Sequence, residues 1–280
     1  MDTHAASLAT TASGAVVAPL TFLTADSETP FFYVEAPPPG AQQSAGTRET
    51  RAVEIHDARP LARRLSLDRE GFVLRPHVTH VSDFYDDAEV RRVYYPEVEA
   101  LLRAETGAAE ILIFDHTVRN TDAARQHGRV VRGAGAHVHN DYTERSAPKR
   151  VRDLLPPAEA EARLARRFAE INVWRSIAGP VETWPLALCD AGSLDWRDLV
   201  TSERRYPDRV GETYVVRFNR DQRWFYFPRL RRDEALLLKC FDSATDGRAR
   251  LAVHSAFEDP TTTGDAPPRE SIEVRAFAFF

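Results

Sequence analysis

Ala136-His137-Val138-His139-Asn140-Asp141-Tyr142 is the stretch on which the reading of this chain turns. Along a strand, residues i and i+2 share a face, so the imidazole of His139 and the carboxylate of Asp141 converge on one point. The same alternation puts His137 beside His139, which makes His137 with His139 a rival ligand pair. A carboxylate completes a three-ligand set more naturally, and Asp141 supplies it. Downstream, Leu251-Ala252-Val253-His254 offers a second imidazole at the end of a short apolar run. Two imidazoles and one carboxylate on one face of a metal leave positions open for an oxygen substrate and a co-substrate, the arrangement of non-haem Fe(II) oxygenases. Further on, Arg269-Glu270-Ser271 opens the last strand-like segment. A guanidinium there can grip a dicarboxylate in bidentate fashion.

Composition narrows the field. With 280 residues, 43% of them hydrophobic, the chain can bury a sizeable core. Its net charge of −5 provides no global basic field for nucleic acid or acidic lipid. The local group Arg220, Arg223, Arg229, Arg231 and Arg232 therefore reads as a solvated face. Cys189 and Cys240 form no disulfide framework, which favours a reducing compartment. The start lacks the basic region of a signal peptide, and no apolar run approaches the roughly 18 residues of a membrane span. The expectation is a cytoplasmic protein.

Taken in order, residues 1–20 are rich in Ala, Thr and Ser and read as poorly ordered; residues 1–50 as a whole read as a variable N-terminal segment. Leu20 to Val34, Arg51 to His56 and Gly71 to Leu74 have strand character. Asp83 to Thr106 reads as a helix capped by Asp86 or Asp87 and stopped by Gly107. Ile111 to His116 is a buried-looking strand, followed by Val130-Val131-Arg132. A second helix is expected from Pro156-Pro157 to Glu170. Closely spaced strands then run to the end, at 172–175, 186–189, 212–216, 223–227, 235–240, 250–254 and 271–280. This pattern predicts a mainly β, α+β protein: a sandwich or barrel with two supporting helices, forming a single domain over 51–280. Arg175 and Tyr226, on strands of this region, are further candidates to reach a substrate or co-substrate.

Several of these segments resemble a known family. They are His139-Asn140-Asp141-Tyr142-Thr143, Arg150-Val151, Ile171-Asn172-Val173-Trp174-Arg175, Pro185 to Asp190 and Pro268 to Ala276. Phe114 to Arg119 and Tyr94-Tyr95-Pro96-Glu97 add to the likeness. The family is the AsaB/CmcJ-type hydroxylase/desaturase group, which includes gibberellin-desaturase-like enzymes, and the resemblance extends from about Val53 to the C-terminus. It implies a double-stranded β-helix (jelly-roll) core and an Fe(II)- and 2-oxoglutarate-dependent dioxygenase of secondary metabolism that uses O2. Carried over by position, His139, Asp141 and His254 hold iron. Arg269 pairs with the distal carboxylate of 2-oxoglutarate and Ser271 adds a hydrogen bond, with Arg275 as the alternative anchor. Asn140 is expected to point away from the metal. The expected substrate is a small molecule to be hydroxylated, desaturated or cyclised, and a partner enzyme of the same pathway fits the family. Two other readings stand beside it: a metal-dependent cupin-like oxygenase without 2-oxoglutarate, and a non-catalytic jelly-roll subunit.

Overall fold

The computed structural model describes residues 14–122 and 136–280. Val130-Val131-Arg132, read above as following the first buried strand, lies outside the described residues.

The core is a five-stranded antiparallel sheet in the order β5 (Phe72–Pro76), β13 (Glu234–Asp242), β8 (Phe168–Ser176), β15 (Glu270–Phe279) and β6 (Glu110–Asn120). β8 and β13 are buried at every position because both of their faces are covered. One face carries the helical segment. Asp86 accepts hydrogen bonds from the backbone of Ala88 and Glu89, starting α1 (Asp87–Glu89). The chain continues through a π-helical turn, Val90–Tyr94, into α2 (Tyr95–Thr106). Val90, Tyr94, Val98 and Leu102 recur every four residues and are fully buried, forming the stripe that packs on the sheet. Gly107 ends the helix at φ +69, a conformation glycine takes without steric cost.

The opposite face of this sheet packs against a second, ten-stranded mixed sheet. Its middle consists of β12 (Trp224–Tyr226), β9 (Leu186–Cys189), β14 (His254–Ala256), β7 (His139–Asn140) and β11 (Val210–Val216). β1 (Val16–Leu23) and β4 (Arg48–Asp57) extend one side; β10 (Leu199–Arg205), β2 (Phe31–Tyr33) and β3 (Ser44–Ala45) extend the other. The two facing sheets form the jelly-roll architecture.

Residues 16–19, expected to be poorly ordered, instead open a full strand that runs to Leu23, inside the stretch with strand character, and pairs with β4 from Val16↔Ile55 to Leu23↔Arg48. The large sheet curls until β1 meets its far side, where Val138 N donates to Thr21 O (2.9 Å) and Leu23 bridges to Arg217. This encloses a second core of Phe22, Val53, Trp224, Tyr226, Val253 and Phe257. Alternating Val16, Ala18, Leu20 and Phe22 supply the apolar face, which the Ala- and Thr-rich composition upstream obscured.

Three further boundaries differ. The helix expected to reach Glu170 is α4 (Pro157–Leu164), and Phe168 already opens β8. Pairing with strands on both sides outweighs the helical propensity of residues 165–170. Leu251 to Val253 is not strand; β14 begins at His254 itself. A helix absent from the sequence reading, α3 (Ser146–Leu154), follows Thr143, whose hydroxyl accepts from the backbone N–H groups of Arg145 and Ser146.

Candidate metal centre and co-substrate site

β7 and β14 are adjacent strands, and their register pairs His139 directly with His254. The tie between them is Asn140, buried and turned away from the ligands. Its amide donates to the carbonyls of Tyr142 (2.7 Å) and Cys240 (2.8 Å) and accepts from Ala252 N (3.1 Å). The residue between the two upstream candidate ligands thus fastens their strand to the segment carrying the third.

Ligand atoms of His139, Asp141 and His254 lie within 4.8 Å of one another. His139 Nε2 is 3.5 Å from Asp141 Oδ1, and the two imidazole centroids are 4.5 Å apart. Each histidine Nδ1 is 2.8 Å from a backbone carbonyl two residues back: His139 to His137 O and His254 to Ala252 O. With Nδ1–H donating, Nε2 of each ring keeps its lone pair toward the shared point. Asp141 Oδ2 accepts from Asn172 Nδ2 at 2.7 Å, which leaves Oδ1 beside His139. Burial raises the Asp141 pKa, but the neighbouring His139, Arg275 and His254 outweigh it and hold the carboxyl well below its usual range. Burial and repulsion from His139 lower the pKa of His254, keeping it neutral and able to ligate. Two imidazole nitrogens and one ionised carboxylate oxygen, each oriented by an outer hydrogen bond, fit a divalent iron.

His137, the rival ligand, contributes its backbone carbonyl rather than its ring to this arrangement. Its imidazole lies 5.0 Å from that of His139 and lines the adjoining cavity.

Ser271, Glu273 and Arg275 alternate along β15 and share the face that meets Asn172 and Trp174, and Arg269, just before the strand, continues the alternation. Arg275 is committed to acids. It donates to Asp115 Oδ1 (3.0 Å) and to Glu273, and its Nε lies 3.8 Å from Asp141 Oδ2. Among the described residues Arg269 has no such ion pair. It is buried, with its guanidinium carbon 5.7 Å from the Trp174 ring centroid and Nη1 donating to the Trp184 carbonyl, while Nε bonds to nothing among the described residues. Burial, followed by repulsion from Arg119, brings its pKa down to about 9 despite Glu273. Ser271 Oγ is likewise buried without a partner among the described residues. A buried guanidinium and hydroxyl left open on one face match a carboxylate.

Two sequence candidates point elsewhere. Arg175 sits one residue out of phase with Asn172 and Trp174, so it faces the helical layer. There its Nη2 is 2.7 Å from His77 Nδ1, and its guanidinium lies 5.0 Å from the Tyr94 ring centroid. Tyr226 shares the face of Trp224, opposite to Leu188 and His254, and packs into the second core against Phe257. In both cases the one-residue alternation of a strand decides the face. Asn172, which orients Asp141, had no assigned role in the sequence reading. Its signal is a buried amide within the apolar run of β8.

A jelly-roll that carries two imidazoles and a carboxylate on adjacent strands, beside an open arginine, defines the non-haem iron, 2-oxoacid-dependent class of oxygenase. Comparison with known proteins narrows this to a family. A family model described as "Oxidoreductase/YMDC permease-like domain" matches residues 20–279. The hydroxylase/desaturase CTB9 of Cercospora beticola is 33% identical over 83% of this chain and 77% of its own length. The Fe(II)/2-oxoglutarate-dependent dioxygenase nvfI of Aspergillus novofumigatus is 32% identical over 89% and 90%. The solved structure of the iron and alpha-ketoglutarate-dependent endoperoxidase NvfI superposes with a TM-score of 0.85 at 28% identity, covering 95% of this chain and 98% of that one. The chain belongs to this hydroxylase/desaturase family and is a non-haem iron, 2-oxoglutarate-dependent dioxygenase.

Proposed function

We propose that this protein oxidises an unactivated C–H bond of a small secondary metabolite, by hydroxylation or desaturation, with His139, Asp141 and His254 as iron ligands. The observation that carries the assignment is the convergence of their ligand atoms within 4.8 Å, with both Nδ1 atoms held by backbone carbonyls. Arg269 is the anchor for the distal carboxylate of 2-oxoglutarate, and Ser271 adds a hydrogen bond. The support for Arg269 over Arg275 is electrostatic: Arg275 is already neutralised by Asp115 and Glu273, whereas Arg269 is buried with no acid in an ion pair to it among the described residues.

When bound, iron supplies oxygen activation coupled to 2-oxoglutarate decarboxylation. The chain's own residues do the positioning. His139 and His254 present Nε2, Asn172 fixes the rotamer of Asp141, and Trp174 walls the pocket beside Arg269. The cavity next to the triad, about 530 Å³, suits a substrate of drug-like size. A partner enzyme of the same pathway belongs to the proposal, supported by the exposed side chains of Phe32 and Val210 beside that cavity. A cytoplasmic location is supported by the two buried, unpaired thiols of Cys189 and Cys240.

The test is succinate formation that requires Fe(II), 2-oxoglutarate and a substrate drawn from a metabolite panel. Iron-loaded protein that neither binds 2-oxoglutarate nor releases succinate with any compound refutes the proposal. Arg269→Ala discriminates against a cupin-like reading without 2-oxoglutarate, because that chemistry has no use for the co-substrate anchor.

A further inference from the structure

The cavity beside the iron ligands differs in charge from the molecule as a whole. The chain carries a net −5, yet the cavity wall is rich in arginine. Its acids are already committed. Asp141 belongs to the metal centre, Asp115 pairs with Arg275 (3.0 Å), Asp153 with Lys149 (2.8 Å) and Glu212 with Arg145 (2.7 Å). Three wall arginines remain without an acidic partner among the described residues: Arg150, Arg204 and Arg209. Each instead lies near an aromatic ring. The guanidinium carbon of Arg150 is 5.3 Å from the Phe114 centroid, that of Arg204 is 5.5 Å from Phe32, and that of Arg209 is 3.9 Å from Tyr206.

All three side chains are partly buried, so the absence of a carboxylate partner is not simply a matter of lying on a freely solvated face. An aromatic neighbour holds the guanidinium and leaves N–H donors for a ligand. The three come from different elements, Arg150 from α3, Arg204 from β10 and Arg209 from the turn before β11, and line the same cavity as His137 and His139. The aromatic and aliphatic side chains among them, Phe32, Tyr142, Tyr206 and Val210, give an apolar body a surface to lie on.

We infer that the substrate is an organic acid whose carboxylate is gripped by Arg150, Arg204 and Arg209 while its apolar body extends toward the iron ligands. This deepens the proposed oxygenase function and rests on it. The field of three uncompensated cations also concentrates anions at the mouth of the site. The carboxylate position is separate from that of 2-oxoglutarate, because Arg269 is not among the cavity-lining residues.

The experiment uses full-length protein loaded with Fe(II) and 2-oxoglutarate under argon, and a library of apolar carboxylic acids, each matched with its own methyl ester. Titration calorimetry first records 2-oxoglutarate binding, then binding of each acid and ester. At least one acid is expected to bind roughly tenfold to a hundredfold more tightly than its ester, the range of a charge-assisted contact. Arg204→Gln and Arg209→Gln should bring that acid down to the level of its ester without changing 2-oxoglutarate affinity, which also reports that each variant is folded. A library in which no acid outbinds its ester overturns the inference, as does an acid preference that survives both substitutions. Failure of the wild-type protein to bind 2-oxoglutarate marks a failure of the underlying oxygenase reading instead.

Discussion

Asn172 lies on β8 of one sheet and Asp141 directly follows β7 of the other, and the 2.7 Å hydrogen bond between Nδ2 of one and Oδ2 of the other reaches across the jelly-roll. It ties the proposed carboxylate ligand to the rigid, fully buried strand at the heart of the molecule. The ligand's geometry therefore depends on the packing of both sheets and not on its own loop alone.

Removing that tie should weaken metal binding without unfolding the protein. Asn172→Ala is expected to reduce Fe(II) affinity by roughly tenfold to a hundredfold, the usual effect of losing an outer hydrogen bond to a ligand. Titration with Mn(II), followed by electron paramagnetic resonance, measures it. Unchanged affinity would mean that Asp141 is held elsewhere.

Arg269, just before β15, and Arg275 within it should separate cleanly. Arg269→Ala is expected to raise the Kd for 2-oxoglutarate by roughly tenfold to a hundredfold, the loss of a charge-assisted pair. Metal stoichiometry should stay at one. Arg275→Ala leaves Asp115, Glu273 and Asp141 without their shared cation, so its main expected effect is on stability and metal affinity. Equilibrium dialysis with labelled 2-oxoglutarate and a denaturant titration distinguish the two outcomes.

The N-terminal strand carries part of the second core. Phe22 is fully buried and meets Phe218 (5.4 Å) and Trp224 (6.0 Å) edge-on. Phe22→Ala should destabilise by about 3–5 kcal/mol through lost burial and the cavity left behind. Urea unfolding monitored by tryptophan fluorescence measures this. A loss below about 1 kcal/mol would show that β1 is dispensable.

Stability of the metal-free protein should fall on mild acidification. Burial lowers the pKa of His77, and Arg175 lowers it further, with Glu97 opposing; burial also leads at His116, where Asp87 opposes. These rings stay neutral in the fold while the unfolded chain takes up protons near the ordinary value of 6.5. The unfolded state then binds more protons, so this contribution to stability is present above pH 6.5 and declines as pH falls toward the lowered values. The melting temperature in EDTA should drop between pH 7.5 and 5.5, and His77→Gln should flatten part of that slope.

Local patterns are legible where one segment contains its own signal. The spacing His139-x-Asp141, the cap at Asp86, the stop at Gly107 and the apolar strands 186–189 and 235–240 depend on neighbours in the chain, and the structure follows them. Segments with two competing local readings are less legible. Residues 165–170 could continue a helix until β13 and β15 claim them from both sides. Residues 16–19 look unremarkable until β4 pairs with them.

By itself, the sequence determined the class of chemistry: the identities and order of His139, Asp141, His254 and Arg269, and a chain made mostly of short strands. Tertiary structure decided which of the remaining candidates face the site. Arg175 and Tyr226 fall on the wrong faces, Arg275 is neutralised, Arg269 is left open and Asn172 becomes the brace of Asp141. The reason is that a strand reverses face at every residue, and charge compensation depends on neighbours brought from distant parts of the chain.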